Sequence, residues 1–314
     1  MVITEVILPI FSIIFLGFLL RRFGGVQPKP FSRTQLYVLS PALVFSAMAR
    51  ADGMTLTVIK IFFYIAILSG IILGVAQGIA YLMKGRREDR QAMSLAAVFM
   101  NSAFYGIPVC MLAFGDIGFV YATGYVVASS ILQSTLGIFI ASAGQKRVAE
   151  AILTPLKVPL IWAIVVARLA SHFDALPPEP FMKMINLLGQ SAIPIGLLLL
   201  GMQLEGVVKD LVARRKDAAA GVDLGGMSYV KGGLIAAALR IVGGFGLALV
   251  IVRFFDFDPI LEKVIIVESA MPTAVNVVVY ATEFKCGPKL VAVAILAATL
   301  GSMVSVTLIL EYLL

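Results

Sequence analysis

The chain has 314 residues, of which 60% are apolar and 14% are charged, and its mean hydropathy is +1.00. Soluble domains are about 45–50% apolar and about 25% charged, so this composition excludes a soluble globular protein and indicates an all-α integral membrane protein. The net charge of +7 does not require a nucleic-acid partner, because membrane topology explains it. The cysteines Cys110 and Cys286 are too far apart for a CxxC or Cys/His motif, so neither a metal site nor a disulfide framework is indicated.

Apolar runs interrupted by charge, Gly and Pro predict ten membrane spans, each of about 20 residues, in two sets of five. The N-terminal run has no basic n-region and no cleavage site, so it is interpreted as a span and not as a removed signal peptide. The second span of each set is short and contains a proline, Pro41 or Pro194. The first set is predicted at 2–20, 34–49, 58–83, 91–113 and 117–142, and the second at 151–170, 184–204, 235–254, 260–282 and 289–313.

The loops predict the orientation of the chain. Ten spans place both termini on one side, with nineteen Lys and Arg residues on the opposite side and six on the side of the termini. By the positive-inside rule, both termini are predicted to be extracytoplasmic and the protein to lie in the cell or inner membrane. Arg240 belongs to the nineteen, and we expect it to snorkel to the cytoplasmic surface at the start of the eighth span.

Five spans are an odd number, so the second set enters the membrane from the side opposite to the first. The expected units are therefore two inverted five-helix repeats, 1–146 and 147–314. Inverted repeats with broken helices are typical of secondary transporters, whose binding sites lie where the breaks meet. In the third span, Gly70, Gly74 and Gly78 predict close packing against another helix.

Both breaks are visible as polar, proline-containing interruptions. The fourth span reads AAVFMNSAFYGIPVCMLAFG, in which Pro108 lacks an N–H and would free the carbonyl of Phe104, while Gly106 lowers the cost of unwinding. The ninth span reads VIIVESAMPTAVNVVVYATEF, in which Pro272 would free the carbonyl of Glu268. Each break creates a helix N-terminus that favours anions and a helix C-terminus that favours cations.

Several polar residues in the spans are candidates for the site. Asn101 and Asn276 offer amides either to a substrate carboxylate or to the broken backbone. Glu268 is a proton carrier, a cation ligand or a paired structural carboxylate. No Lys or Arg is expected near the breaks, so the helix ends would supply the positive potential themselves. The other polar and aromatic candidates are Gln77, Gln133 and Gln190, which form interhelical contacts or line the site, and Tyr105, which either gates the site or packs, whereas His172 is expected at the surface.

The segments NSAFYGIP and SAMPTAVNVVVYATEF resemble the auxin efflux carrier family in its prokaryotic branch, and the resemblance covers essentially the whole chain. It implies a relationship to bile-acid sodium symporters, with crossed, broken fourth and ninth helices. It also implies a scaffold domain of spans 1, 2, 6 and 7, a transport domain of spans 3, 4, 5, 8, 9 and 10, and an elevator mechanism. By position, Asn101 matches the asparagine near the substrate carboxylate, Pro108 and Pro272 match the crossover prolines, and Glu268 corresponds to a sodium-ligating carboxylate. The long cytoplasmic loop of the plant carriers is absent, which argues against auxin as the natural substrate.

These observations predict a secondary active transporter of small organic carboxylates, such as malonate, malate, lactate or an auxin-like acid, and not an enzyme. The alternative is an anion channel or facilitator of the same fold. An ATP-driven pump is a weaker alternative, because no GxxxxGK[ST] motif occurs. No cofactor is expected apart from H⁺ or Na⁺ as coupling ion. The expected partners are the carboxylate, membrane lipid and a second copy bound through the scaffold domain, without nucleic acid. The predicted substrate contacts are Asn101, Tyr105, Gly106, Pro108, Pro272 and Asn276, and the predicted coupling-ion residues are Glu268, Gln77 and Gln133.

Overall fold

The structure, a computed structural model, describes residues 2–49, 54–142, 159–219 and 228–313. Within these ranges the chain is helical and forms no strand, apart from an isolated bridge between Met100 and Thr273. The helices are α1 (Ile3–Arg22), α2 (28–48), α3 (Met54–Leu82), α4 (Arg87–Val98), α5 (102–114), α6 (116–141), α7 (Pro159–His172), α8 (Glu179–Ala219), α9 (Tyr229–Phe254), α10 (Pro259–Ser269), α11 (Val277–Glu283) and α12 (Pro288–Leu313).

Six stretches of helix among the described residues are long and apolar enough to cross a membrane. They comprise α1, most of α3, α5 together with α6, the first part of α8, α9 and α12. The stretch Ser102–Ala141 is divided at Gly115, whose φ of 66° and ψ of −153° are not helical, so α5 and α6 are separate. The protein is therefore a multi-pass membrane protein.

Each predicted span overlaps at least one of these helices, but several boundaries differ. The seventh span is not short, because the helix continues from its apolar part into the charged sequence that follows, and α8 runs over Glu179–Ala219. The helix at the predicted eighth span begins at Tyr229 and not at 235. The boundary expected at 146/147 and residues 151–158 of the sixth span lie outside the described residues.

The helices pack in two groups. In the first group α1 and α2 both pack on α8, and α2 also packs on α7. In the second group α3 packs on α4 and on the α5–α6 stretch, α9 packs on α12 and α4, and α10 packs against the same α5–α6 stretch. The two groups contact one another where α8 meets α5 and α12, where α2 meets the α5–α6 stretch, and where the start of α1 meets that stretch and α12.

Glycines set the closest approach of helices in the first group. A Cβ atom added at Gly201 of α8 would overlap the backbone carbonyl of Ile14 in α1, and one added at Gly17 would overlap the carbonyl of Leu198. By contrast, the prediction of close packing for Gly70, Gly74 and Gly78 is wrong within this chain. These glycines are exposed, and among the described residues no atom lies within 4 Å of a Cβ added at any of them.

The substitution Gly201→Ala should lower the thermal unfolding temperature in detergent, because α1 and α8 must separate to admit the methyl group. Overpacking of this kind costs about 1–3 kcal/mol. Gly74→Ala is the matched control: it adds the same methyl group to an open helix surface, and it should leave the unfolding temperature unchanged or raise it slightly. Equal unfolding temperatures for the two variants would show that the α1–α8 contact does not limit stability.

Candidate functional site

Two helix interruptions meet inside the second group of helices. The chain leaves helical geometry between α4 and α5 and again between α10 and α11. The backbone N–H of Asn101 donates a hydrogen bond of 2.8 Å to the carbonyl of Pro272, and the N–H of Ala274 donates one of 3.0 Å to the carbonyl of Phe99. The interruptions therefore satisfy each other's backbone, as buried polar backbone groups require.

The first interruption lies earlier than the sequence suggested. Phe99 and Asn101 have non-helical backbone angles, whereas Pro108 lies within continuous helix. The helix restarts with a π turn, Ser102–Gly106, in which the N–H of Gly106 donates to the carbonyl of Asn101 at 3.1 Å. This wide turn departs from the i→i−4 pattern that a proline would interrupt, so Pro108 is accommodated without a break. The second interruption begins directly after Ser269 and includes Pro272, as expected.

The helix C-termini at the interruptions bind an arginine. Arg240 was expected to snorkel to the cytoplasmic surface, and that prediction is wrong: its side chain is fully buried. One guanidinium nitrogen donates to the carbonyls of Ala97 (3.0 Å) and Val98 (2.8 Å), and the other terminal nitrogen donates to the carbonyl of Ser269. The expectation that no basic residue lies near the breaks is therefore also wrong, and the helix ends do not act alone.

Glu268 lies one residue before the end of α10 and is fully buried. The thiol of Cys110 donates to its Oε1 at 3.9 Å, and the hydroxyl of Ser102 is a second close neighbour. A Cβ atom at Gly106 would overlap the carboxylate, so Gly106 provides the space in which Glu268 lies. None of the ion pairs among the described residues includes Glu268. Ionisable side chains buried inside membrane proteins are rare and often mark proton and ion pathways.

A cavity of about 340 Å³ lies between the two groups of helices, beside the start of α5. This volume is at the lower end of the usual range for small-molecule pockets, about 300–1,000 Å³. A polar recess of about 40 Å³ adjoins it and is lined by Asn101 and Ser102. No charged side chain lines either space among the described residues. The polar residues around the main cavity are Ser32, Gln35, Ser40, Ser130, Gln133, Ser134, Asn276 and Tyr280.

Two amide side chains in this region lack partners for buried atoms. The Nδ2 of Asn101 is buried and donates no hydrogen bond, and the Oε1 of Gln35 accepts none. Gln35 is fixed from its other end, because its Nε2 donates to the carbonyl of Ala192 in α8 at 3.0 Å. Buried amides are rarely left unsatisfied, so each of these atoms is available to a ligand.

Asn276 and Gln133 form a reciprocal pair at the cavity wall. The Nε2 of Gln133 donates to the Oδ1 of Asn276 at 3.2 Å, and the Nδ2 of Asn276 donates to the Oε1 of Gln133 at 3.0 Å. The pair connects α6 to the start of α11. Asn101, Asn276 and Gln133, all predicted site residues, therefore line one continuous region.

The remaining predicted site residues do not line this region. The hydroxyl of Tyr105 is 3.3 Å from the hydroxyl of Ser302, with the ring buried against Phe11. Gln77 donates to the hydroxyl of Ser94 at 2.9 Å and lines a different cavity near Arg87. Gly106, Pro108 and Pro272 are buried without lining either space, whereas Gln190 and His172 are exposed.

Gln35, Ser130 and Arg240 were not predicted from the sequence to lie at the cavity or at the interruptions. Gln35 and Arg240 lie in π turns, Gln35–Leu39 and Leu239–Gly243, as Gln133 does in Gln133–Gly137. Turns of this kind are often found at functional sites. A glutamine in the apolar second span was the signal that could have identified Gln35.

Comparison with known sequences relates this chain to transport proteins. The sequence profile of the family described as "Membrane transport protein" matches residues 2–310. The chain belongs to this family. Because this is the family of the auxin efflux carriers, the resemblance inferred from the two helix motifs is confirmed.

Full-length relatives carry transporter names. An "Uncharacterized transporter" of Methanothermobacter thermautotrophicus is 25% identical, with 97% of this chain and 96% of the relative covered. A protein of Rhizobium meliloti named "Putative malonate transporter" is 24% identical, with 97% and 94% covered. An uncharacterized transporter of Methanocaldococcus jannaschii is 22% identical, with 98% of each chain covered.

Proposed function

We propose that this membrane transport protein is a secondary carrier for small carboxylate anions that works by alternating access. The observation that carries the proposal is the cavity between the two groups of helices, with the unpaired amide of Asn101 in its polar recess. A site between two packed units becomes accessible from either side when one unit moves against the other. Alternating access of this kind is the usual mechanism of transporters with repeats and broken helices.

The geometry of the recess suits a carboxylate. Asn101 and Ser102 are both buried there, and they directly precede and begin α5. The first N–H groups of a helix have no partner within the helix and carry partial positive charge, which favours an anion. The Nδ2 of Asn101 adds a donor beside them. No acidic side chain lines the recess or the main cavity among the described residues, so the nearest described carboxylate that an entering anion meets is Glu268, behind Ser102.

The proposed architecture is ten spans in two inverted five-helix repeats. In this interpretation α4 with α5 forms the fourth span, and α10 with α11 forms the ninth, and the two cross where their interruptions pair. The group α1, α2, α7 and α8 would be the scaffold, and the other helices would move as the transport domain, in an elevator mechanism. The packing of the helices supports this division, because the scaffold helices pack mainly on one another.

Glu268 is the proposed carrier of the coupling ion, H⁺ or Na⁺. Its carboxylate lies against Gly106 of α5 and close to Ser102, which lines the recess. Binding of an ion at Glu268 therefore changes the charge behind the α5 N-terminus, where the anion would bind. This proximity gives a direct electrostatic route for coupling.

Malonate is the first substrate to test, because a full-length relative is named for it. The other acids to test are malate, lactate and indole-3-acetate. For the location of the protein we propose the cell or inner membrane, with both termini extracytoplasmic. The test is counterflow: proteoliposomes preloaded with one unlabelled acid are diluted into its labelled form, with and without sodium and at two pH values. A carrier should show saturable, transient accumulation of label. Single-channel currents without counterflow would identify a channel, and absence of exchange for every acid in folded protein would reject the carboxylate proposal.

A further inference from the structure

The buried arginine at the two interruptions has no assigned role in the transport scheme. Arg240 is fully buried, and none of the ion pairs among the described residues includes it. Among the described residues, its guanidinium donates only to backbone carbonyls, those of Ala97, Val98 and Ser269. Burying a cation without an ion-pair partner costs free energy, because the charge loses its hydration. The hydrogen-bond partners of Arg240 must therefore compensate for that cost.

Those partners are the C-termini of two helices. Ala97 and Val98 are the last residues of α4, and Ser269 is the last residue of α10. Each helix C-terminus carries about half a negative charge, so two of them together balance about one guanidinium. The charge of Arg240 is therefore neutralised by helix ends in the way that a carboxylate would neutralise it elsewhere.

Neighbouring side chains hold Ser269 in place, and a glycine leaves room for its contact with Arg240. The hydroxyl of Ser269 lies 2.9 Å from the hydroxyl of Tyr64 and 3.2 Å from that of Tyr125. A Cβ atom on Gly244 would overlap both Arg240 and the carbonyl of Ser269, so Gly244 leaves room for the contact. The carbonyls of Ala97, Val98 and Ser269 thus converge on a place where another small cation with several N–H donors would also be stabilised.

We propose that Arg240 is a resident cation that joins the two helix interruptions, and that removing its side chain leaves a site for a small exogenous cation of guanidinium type. The resident charge fixes α4 to α10 while Glu268, the residue before Ser269, remains free to bind the coupling ion. The inference rests on the proposed function for its transport measurement alone. Its stability measurement is independent of transport.

The test compares Arg240→Ala with the parent protein, full-length and purified in detergent. Thermal unfolding is followed with increasing guanidinium chloride, urea or choline chloride in the low millimolar range. Urea has nearly the shape of guanidinium without its charge, and choline chloride matches the ionic strength. Of the three additives, we expect only guanidinium to raise the unfolding temperature of Arg240→Ala, and the increase should saturate with concentration. Guanidinium should not raise the unfolding temperature of the parent protein.

Transport provides the second measurement. Exchange by Arg240→Ala should fall by about tenfold or more, because charge-assisted hydrogen bonds to three carbonyls are lost. It should recover over the same range of guanidinium concentration that restores stability. Arg253→Ala is the matched control: Arg253 lies on the same helix with its side chain 72% exposed, and guanidinium should have no effect on this variant.

Equal responses of Arg240→Ala to guanidinium and urea would overturn the proposal. So would an unfolding temperature of Arg240→Ala, measured without added guanidinium, that equals that of the parent protein. If the alanine variant does not fold, Arg240→Lys and Arg240→Gln decide the question. The lysine variant should fold and retain more exchange than the glutamine variant, and equal behaviour of the two would show that charge is not required. Absence of exchange in the parent protein would reject the proposed function and leave the stability test of Arg240 intact.

Discussion

Replacing Asn101 with alanine should raise the anion concentration for half-maximal exchange by roughly ten- to a hundredfold. The reason is that Asn101 supplies an unpaired, buried amide donor to the recess, and a hydrogen bond to a charged group contributes about 1.5–3 kcal/mol. Asn101→Asp should have a larger effect, because it keeps the shape of the side chain but replaces the donor by a negative charge. Initial rates of labelled-anion exchange over a range of concentrations measure both effects.

Ser129→Ala is the matched control for this series. Ser129 lines the same recess, but its hydroxyl already donates to the carbonyl of Val126 at 3.0 Å. We therefore expect the anion concentration for half-maximal exchange by Ser129→Ala to change by less than about twofold, since no ligand contact is lost. If Asn101→Ala and Ser129→Ala exchange the anion with the same affinity and rate, the carboxylate does not bind at Asn101.

The helix interruptions could be predicted because their causes are local. Asn101 and Pro272 interrupt apolar segments with polar or N–H-lacking residues, and these disruptions are visible in a single sequence. The exact position of the first interruption was not predictable in the same way. Pro108 is compatible with the π turn that precedes it, and the conformation at Phe99–Asn101 depends on hydrogen bonds to residues more than 170 positions away.

Arg240 illustrates the opposite case. An arginine near the predicted start of a span is normally interfacial, and the prediction placed the start at 235. The helix begins at Tyr229, so Arg240 lies eleven residues inside it. Its partners are backbone carbonyls of two other helices, and carbonyls leave no signature in the side-chain sequence. Contacts of this kind, like those of Gln35 with Ala192, depend on tertiary packing alone.

The three glycines of α3 show a further limit. The spacing of Gly70, Gly74 and Gly78 is typical of a helix contact, but the contact needs a partner surface that the spacing does not specify. The same spacing rule does not identify Gly17 and Gly201, although those two glycines set the approach of α1 to α8. Small residues permit close packing, and the neighbouring helices decide whether it occurs.

Glu268→Gln should abolish accumulation driven by an ion gradient while leaving exchange intact, if Glu268 carries the coupling proton. Glutamine has the size of the protonated acid but neither gains nor releases a proton. One pH unit across the membrane corresponds to about 1.4 kcal/mol per proton, or about tenfold accumulation of the anion. The parent protein should approach that ratio in proteoliposomes with an imposed pH gradient. The variant should remain near equal concentrations on the two sides, with counterflow retained.

Glu262→Gln is the control, because it makes the same change on the same helix at a partly exposed position whose partner Arg253 is exposed. Glu262 pairs with Arg253 at 3.5 Å, and exposed ion pairs contribute about 0–1 kcal/mol, so accumulation should be unaffected. Concentrative uptake retained by Glu268→Gln under a pH gradient would reject proton transfer at this residue. Uptake that follows a sodium gradient in the parent and is lost in the variant would instead assign Na⁺ to Glu268. Arg240 would stay bound at the adjacent helix ends in both cases, because its partners are backbone carbonyls that do not titrate.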